Sequence, residues 1–302
     1  MKGKLESFRK KVQDLVYLNY RGHAAYPEMD IGLSEDELLY ELAKINVSNL
    51  FLGHYSEEAL WKIFTTCSIT EHLQSLGFHE LLMRIDAQDI LEHRLCVYYD
   101  KKEPDHLLLE LRVREGYFDQ KKEIVPGFKL DSIDLLMVDW LCLQNPLKDF
   151  SPERPRLPGQ RHPGLGIVRK IVDLILRFAN DFNKEGILNT PAYYHVAALY
   201  AQLFFFFDPT AQGRFLALMR DMDREDLLKV IYAIPDDCLI DARTGNKEKW
   251  APGEQILPLS TRLKKYFGST EYKAMVEEAY HSHAYKIDWD LFERLKPAQF
   301  DV

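Results

Sequence analysis

The chain has 302 residues, 46% hydrophobic and 28% charged, enough for one large domain or two smaller ones around a substantial core. A formal net charge of −8 argues against nucleic acid held by phosphate contacts and against an anionic membrane surface as partner. The four cysteines (Cys67, Cys96, Cys142, Cys238) form no CxxC pair, which points to reduced thiols rather than a disulfide framework or a thiolate zinc site.

The opening MKGKLESFRKK has basic residues with no apolar run after them, so no signal peptide is expected. The most apolar stretch, Val196 to Phe207, is too short to span a bilayer, and a cytoplasmic location is the expectation. Leu5, Phe8, Val12, Leu15 and Val16 recur at helical spacing until Gly22, and Ser34-Glu-Asp-Glu37 is a capping-box pattern. Ser56 and the Ser68-Ile-Thr-Glu71 box start two further helices, the second closed by Gly77, and Asn49-Leu-Phe-Leu-Gly53 reads as a short strand.

The period then changes. His93-Arg-Leu-Cys-Val-Tyr-Tyr-Asp100 is rich in β-formers, and in the next run Leu109, Leu111 and Val113 alternate with Glu110, Arg112 and Arg114. Together they read as an antiparallel hairpin with one face partly wet. Leu135-Leu-Met-Val-Asp-Trp-Leu-Cys-Leu143 is nearly continuous in apolar residues, as a central strand buried on both faces should be. The loop from Gln144 to Pro163 carries Pro146, Pro152, Pro155, Pro158 and Pro163, a density that forbids regular structure. Gly164-Leu-Gly166 opens a helix with Ile167, Ile171, Leu174, Ile175 and Phe178 on one face. A strand at Gly186-Ile-Leu-Asn189, a helix from Tyr193 to Leu203 and a strand at Phe204 to Phe207 follow. Beyond Asp208-Pro209 the reading is mostly helical, with a hairpin turn at Arg243-Thr-Gly-Asn246 and helices near Thr270 and Trp289.

This order of three strands, glycine-opened helix, short strand, helix and strand resembles the core of the GNAT superfamily of acyl-CoA-dependent N-acyltransferases. Arg161-His-Pro-Gly164-Leu-Gly166 fits that family's pyrophosphate-binding pattern. Leu199-Tyr200, in an Ala-rich helix before an aromatic strand, is similar to its late signature. The resemblance covers Leu95 to Phe207. It implies a mixed α/β fold: a GNAT-like, mostly antiparallel sheet flanked by helices, with helical N- and C-terminal additions. The expected division is a helical region at 1–90, an acyl-CoA-binding core at 91–208 and a mostly helical extension at 209–302.

The chemistry of the loop is physical. A helix N-terminus offers unpaired amides and a partial positive charge, and glycine lets the backbone approach a diphosphate closely. The cofactor is expected to be acetyl-CoA or another acyl-CoA, held by Arg161, His162, Gly164, Leu165 and Gly166, with Arg154 or Arg156 adding charge. The strand residues Leu141, Cys142 and Leu143 would pair with its pantetheine amides, in a gap where this strand splays from its neighbour. The bland reading of the glycines is a helix entry turn, and of the arginines solvated loop charges.

Tyr200 is the family's usual general acid toward the leaving thiolate, or else an aromatic packed between helix and sheet. Asp139 interrupts an apolar strand, and burial would raise its pKa toward that of a general base acting through water; otherwise it is a structural partner for an arginine. Glu110 is a second base candidate. Cys142 has no His or acid at a recognisable spacing to make it a nucleophile, and His195 reads as structural. His281-Ser-His283 reads as solvent-exposed rather than metal-binding, so no metal is expected. The sequence thus reads as an N-acetyltransferase acting on an unknown amine, with homodimerisation open. Two alternatives stand: a non-catalytic acyl-CoA or ligand binder, favoured because the family's usual Asn falls on Tyr193, and a scaffold that has lost the cofactor.

Overall fold

The computed structural model describes residues 50–89, 92–120 and 122–295. The helical pattern from Leu5 and the capping box at positions 34–37 lie outside these residues. Phe51 and Tyr55 form an isolated bridge closed over Leu52 and Gly53, both at positive φ, so a tight turn stands where a strand was expected. Helix α1 (Glu57–Thr66) starts as predicted: the Ser56 hydroxyl accepts from the Ala59 amide, and Leu60, Ile63 and Phe64 bury one face. At α2 (Ile69–Ser75) the expected capping box does not form, because Ser68 sits at φ +52 and makes no side-chain capping bond. Gly77, at φ +99, ends that helix at a position where a side chain would be strained.

The strands are β1 (Leu81–Asp86), β2 (His93–Tyr99), β3 (Leu107–Phe118), β4 (Ile133–Leu143), β5 (Gly186–Asn189), β6 (Phe205–Phe206), β7 (Leu239–Asp241), β8 (Gln255–Pro258) and β9 (Tyr285–Ile287). Seven of them make one sheet in the order β1-β2-β3-β4-β5-β8-β6, while β7 and β9 pair separately. Among the described residues only β4 and β5 run parallel; every other pair is antiparallel. The helices that follow are α3 (Val168–Asp181), α4 (Tyr194–Tyr200), α5 (Pro209–Met222), α6 (Leu227–Ala233), α7 (Thr261–Gly268), α8 (Thr270–Ser282) and α9 (Trp289–Leu295). The mixed, mostly antiparallel sheet flanked by helices is thus present. It begins before position 91 with β1 and continues past Asp208, since β8 lies between β5 and β6.

Alternation along β3 divides the two faces. Leu109, Leu111 and Val113 join Leu136 and the inward residues of α1, α2 and α3 in one apolar cluster. The opposite face is apolar only at its lower end, where Leu135 and Met137 pack with Tyr266, Phe267 and Tyr272 of α7 and α8. A third cluster joins α4, α5 and α6 to the small β7–β9 sheet. Helices α5 and α8 approach so closely that a Cβ on Gly213 would lie 2.4 Å from the Val276 carbonyl oxygen, a crossing that only glycine permits.

Candidate functional site

Parallel pairing of β4 with β5 is short. It runs from Leu135 opposite Gly186 to Val138 opposite Asn189, and there β5 ends while β4 continues to Leu143. The Gln144 amide donates to the Leu108 carbonyl, which fixes the ladder phase toward β3. In antiparallel alternation the backbone groups of Leu141 and Leu143 therefore point away from β3, to the side β5 has left. This unmatched segment is roughly 15 Å long at about 3.3 Å per residue. Its far end is closed by the proline-rich loop: the Asn145 amide donates to the Pro163 carbonyl at 2.7 Å. A Cβ on Gly164 would stand 3.8 Å from the Leu143 carbonyl oxygen, so strand and glycine loop meet at one corner.

Helix α3 begins at Val168, two residues later than the glycine pattern implied, with Gly164 and Gly166 in an exposed turn ahead of it. Gly166 has φ +76, a conformation costing a non-glycine residue roughly 1–2 kcal/mol. The capping residue Ile167 supplies no side-chain bond, and the first turn has no acid but contains Arg169 and Lys170. Lys170 Nζ donates to the Cys67 carbonyl at 3.3 Å, so what the corner itself offers an anion is the positive end of the helix dipole. The loop is held from beneath by His72, whose Nε2 lies 3.0 Å from the Leu165 carbonyl oxygen, while Leu165 itself is buried. His162 is half-buried and Arg161 exposed. The Arg156 guanidinium instead turns back onto the Gln160 carbonyl of its own loop.

The catalytic candidates land differently from the sequence reading. Asp139 is exposed rather than buried. Between Val138 and Trp140 the register of β3 against β4 shifts, so Asp139 is the extra residue of a bulge, turned outward to accept a hydrogen bond from Arg114 Nε at 2.8 Å. The upper half of β4 is likewise not the doubly covered strand expected, and Trp140 is 51% exposed. Glu110 is buried, but its Oε1 meets Arg94 at 2.7 Å and Arg112 at 2.8 Å, which occupies the oxygen a base would need. Cys142 faces the same side; burial, joined by the Glu110 charge, pushes its thiol up to about 11 against the opposing pull of Arg161, which leaves it no nucleophile.

Tyr200 closes α4 and packs in the cluster that holds Leu141, Leu143 and Leu165, its ring 5.6 Å from that of Phe204. Burial pushes its phenol up to about 12, and among the described residues its hydroxyl has no hydrogen-bond partner. Taken as a whole residue, Tyr200 is half-buried. His195, on another side of the helix, is buried with its pKa lowered to about 4 by desolvation. His281 contacts Glu277, and His283 Nδ1 lies against the Ala279 carbonyl, so the two do not converge.

Two polar residues at the divergence point went unnoticed in the sequence. Asn189 and Gln255 are paired across β5 and β8; Gln255 is wholly buried, and the side-chain oxygens of both are shielded without a donor among the described residues. No composition or spacing marks them, because β8 is a four-residue strand whose partner lies far back in the chain.

No family model matches the sequence, and no curated protein matches it. The crystal structure of AtaTR bound with AcCoA aligns over 55% of this chain and 81% of that one, at 15% identity and a TM-score of 0.25. A superposition that loose carries no argument about this chain.

Proposed function

We propose that the chain binds acyl-CoA along the unmatched half of β4 and passes the acyl group to an amine, as a divergent GNAT-like N-acyltransferase. The observation that carries the reading is the early end of β5 at Asn189, which leaves Leu141 and Leu143 to pair with an added extended group. The glycine corner fits the diphosphate end of such a ligand, since Gly164 and Gly166 present no side chain there and α3 contributes its positive end.

The bound thioester supplies the activated acyl group. Leu141 and Leu143 offer backbone amides and carbonyls to hold the pantetheine arm extended, as strand addition does in peptide recognition. Tyr200 is protonated at neutral pH, the form in which its phenol can hand a proton to a departing thiolate. With Glu110 engaged by two arginines, proton removal from the amine is assigned to Asp139 through water, a role that requires its single contact with Arg114 to give way. The amine's proton thus ends on Asp139, the thiolate's comes from Tyr200, and a C–N bond replaces the C–S bond.

A second reading, binding without turnover, is favoured by the salt bridge that already engages Asp139. Calorimetric titration with CoA tests the shared part, and absence of binding rejects both. Release of free thiol from acetyl-CoA over a panel of primary amines separates them. If no amine yields thiol while CoA binds, the transferase reading falls and the binder remains.

A further inference from the structure

Strand β1 is one edge of the main sheet, with six residues against two in β6 at the other edge. The Asp100 amide donates to the Glu80 carbonyl at 2.9 Å, and the β1–β2 register continues from that pair. Antiparallel alternation then turns the backbone groups of Leu82, Arg84 and Asp86 toward β2 and those of Leu81, Met83 and Ile85 outward. Among the described residues no group hydrogen-bonds to these outward amides and carbonyls. We infer that β1 is a self-association edge, on which a second copy of this chain lays its own β1 antiparallel about a two-fold axis through Ile85.

An open edge is a template for another strand, and charged side chains on it ordinarily repel a second copy. Here the charges are self-complementary. Two-fold pairing must set outward residues against outward residues, so the axis has to pass through a residue. Through Arg84 it would oppose that arginine to itself, and through Met83 it would oppose Asp86 to the partner's Glu80, like charges in both cases. An axis through Leu82 depends on Glu80, which precedes the strand. Through Ile85, Arg84 stands opposite the partner's Asp86 on both sides of the axis. These are non-hydrogen-bonded pairs, in which facing side chains come closest.

Both side chains have room for such a partner. Within one chain Arg84 Nη2 and Asp86 Oδ2 are 3.8 Å apart, looser than the roughly 2.7–2.9 Å of a charge-assisted bond, and the two side chains are 58% and 38% exposed. On the core face the half-buried Ile85 would meet its own copy at the axis, which removes apolar surface from water. Two strands separate β1 from β4, so the assignment stands or falls independently of acyl-CoA binding.

The test is sedimentation velocity of the full-length protein. One strand pair buries less than the roughly 1,200 Å² of a standard interface, so the series should reach about 0.5 mM. The mean mass should climb with concentration toward that of a dimer, and amide exchange at Leu81, Met83 and Ile85 should slow in step. Arg84→Asp and Asp86→Arg should each weaken association about tenfold or more, because each makes both cross-axis pairs like-charged. Mixed in equal amounts, the two variants should associate again, since every cross-axis pair is then of opposite sign; a merely structural role for either residue gives no such rescue. A mass that ignores concentration, single variants that associate as the wild type does, or no recovery on mixing would each overturn the assignment. Protection of the three amides in a monomer would overturn it too, by showing that residues 1–49 of the same chain cover the edge.

Discussion

Replacing Gly164 with glutamate sets a carboxylate at the corner where β4 meets the glycine loop. The backbone tolerates it: Gly164 is exposed, its φ is not in the left-handed region, and the nearest atom to a new Cβ is the Leu143 carbonyl oxygen at 3.8 Å. Stability should therefore move by less than about 0.5 kcal/mol, as for most surface changes. The ligand should feel it strongly. At roughly 6 Å from a diphosphate, each phosphate charge costs about 0.7 kcal/mol in full water screening, so two charges give about tenfold weaker binding, and more in a less polar corner. Calorimetric titration with CoA at low and high salt measures this, with Gly164→Gln as the uncharged control of similar bulk. The expected result is a glutamate penalty that shrinks with added salt and a much smaller penalty for glutamine. Undiminished CoA affinity in Gly164→Glu, or equal losses in both variants, refutes the placement of the diphosphate at this corner.

Tyr200→Phe should leave CoA affinity unchanged and cut thiol release by about a hundredfold or more, within the range for a lost general acid; undiminished release assigns the proton to another group. The same variant should match or exceed the wild type in urea stability, because the phenol it removes has no partner among the described residues. His195 is held neutral by burial, its pKa lowered from 6.5 to about 4. Its contribution is therefore present above pH 6.5 and lost as pH falls toward 4, roughly 2.5 kcal/mol being gone by pH 4.5. Urea midpoints at pH 7 and pH 4.5 should diverge less in His195→Gln, and an identical divergence would show that acid sensitivity resides elsewhere. Gly213→Ala gains about 1 kcal/mol of helix propensity but drives a methyl to 2.5 Å from the Ala279 side chain, for a net loss of about 2 kcal/mol. Thermal melting should drop by several degrees, and an unchanged melting temperature would mean that α5 and α8 separate at little cost.

Much of the central sheet could be read directly. Alternation in β3 told wet face from dry, and Gly186 to Asn189 was bounded correctly because Gly186 opens it and Pro191 follows closely. Of the two glycines singled out in the loop, Gly166 meets a backbone requirement, at φ +76, while Gly164 does not. What escaped were properties of pairing. The bulge at Asp139 exists only in the match of β4 to β3, so an acid that looked buried in a one-dimensional reading turns out to face solvent. Glu110 looked like a spare base because neither Arg94 nor Arg112 betrays, along the chain, that both reach one oxygen of its carboxylate. Gln255-Ile-Leu-Pro258 was invisible as a strand, being short and ending in proline.

That late strand has a bearing on how the molecule is made. The outer edge of β5 is satisfied only by β8, which emerges from synthesis after all of α5 and α6. Until then the growing polypeptide carries an unpaired, apolar sheet edge, the kind of template on which chains associate wrongly. A nascent product halted after Met222 should therefore be sticky and protease-sensitive. Completion through Pro258 is the step that seals this edge of the sheet.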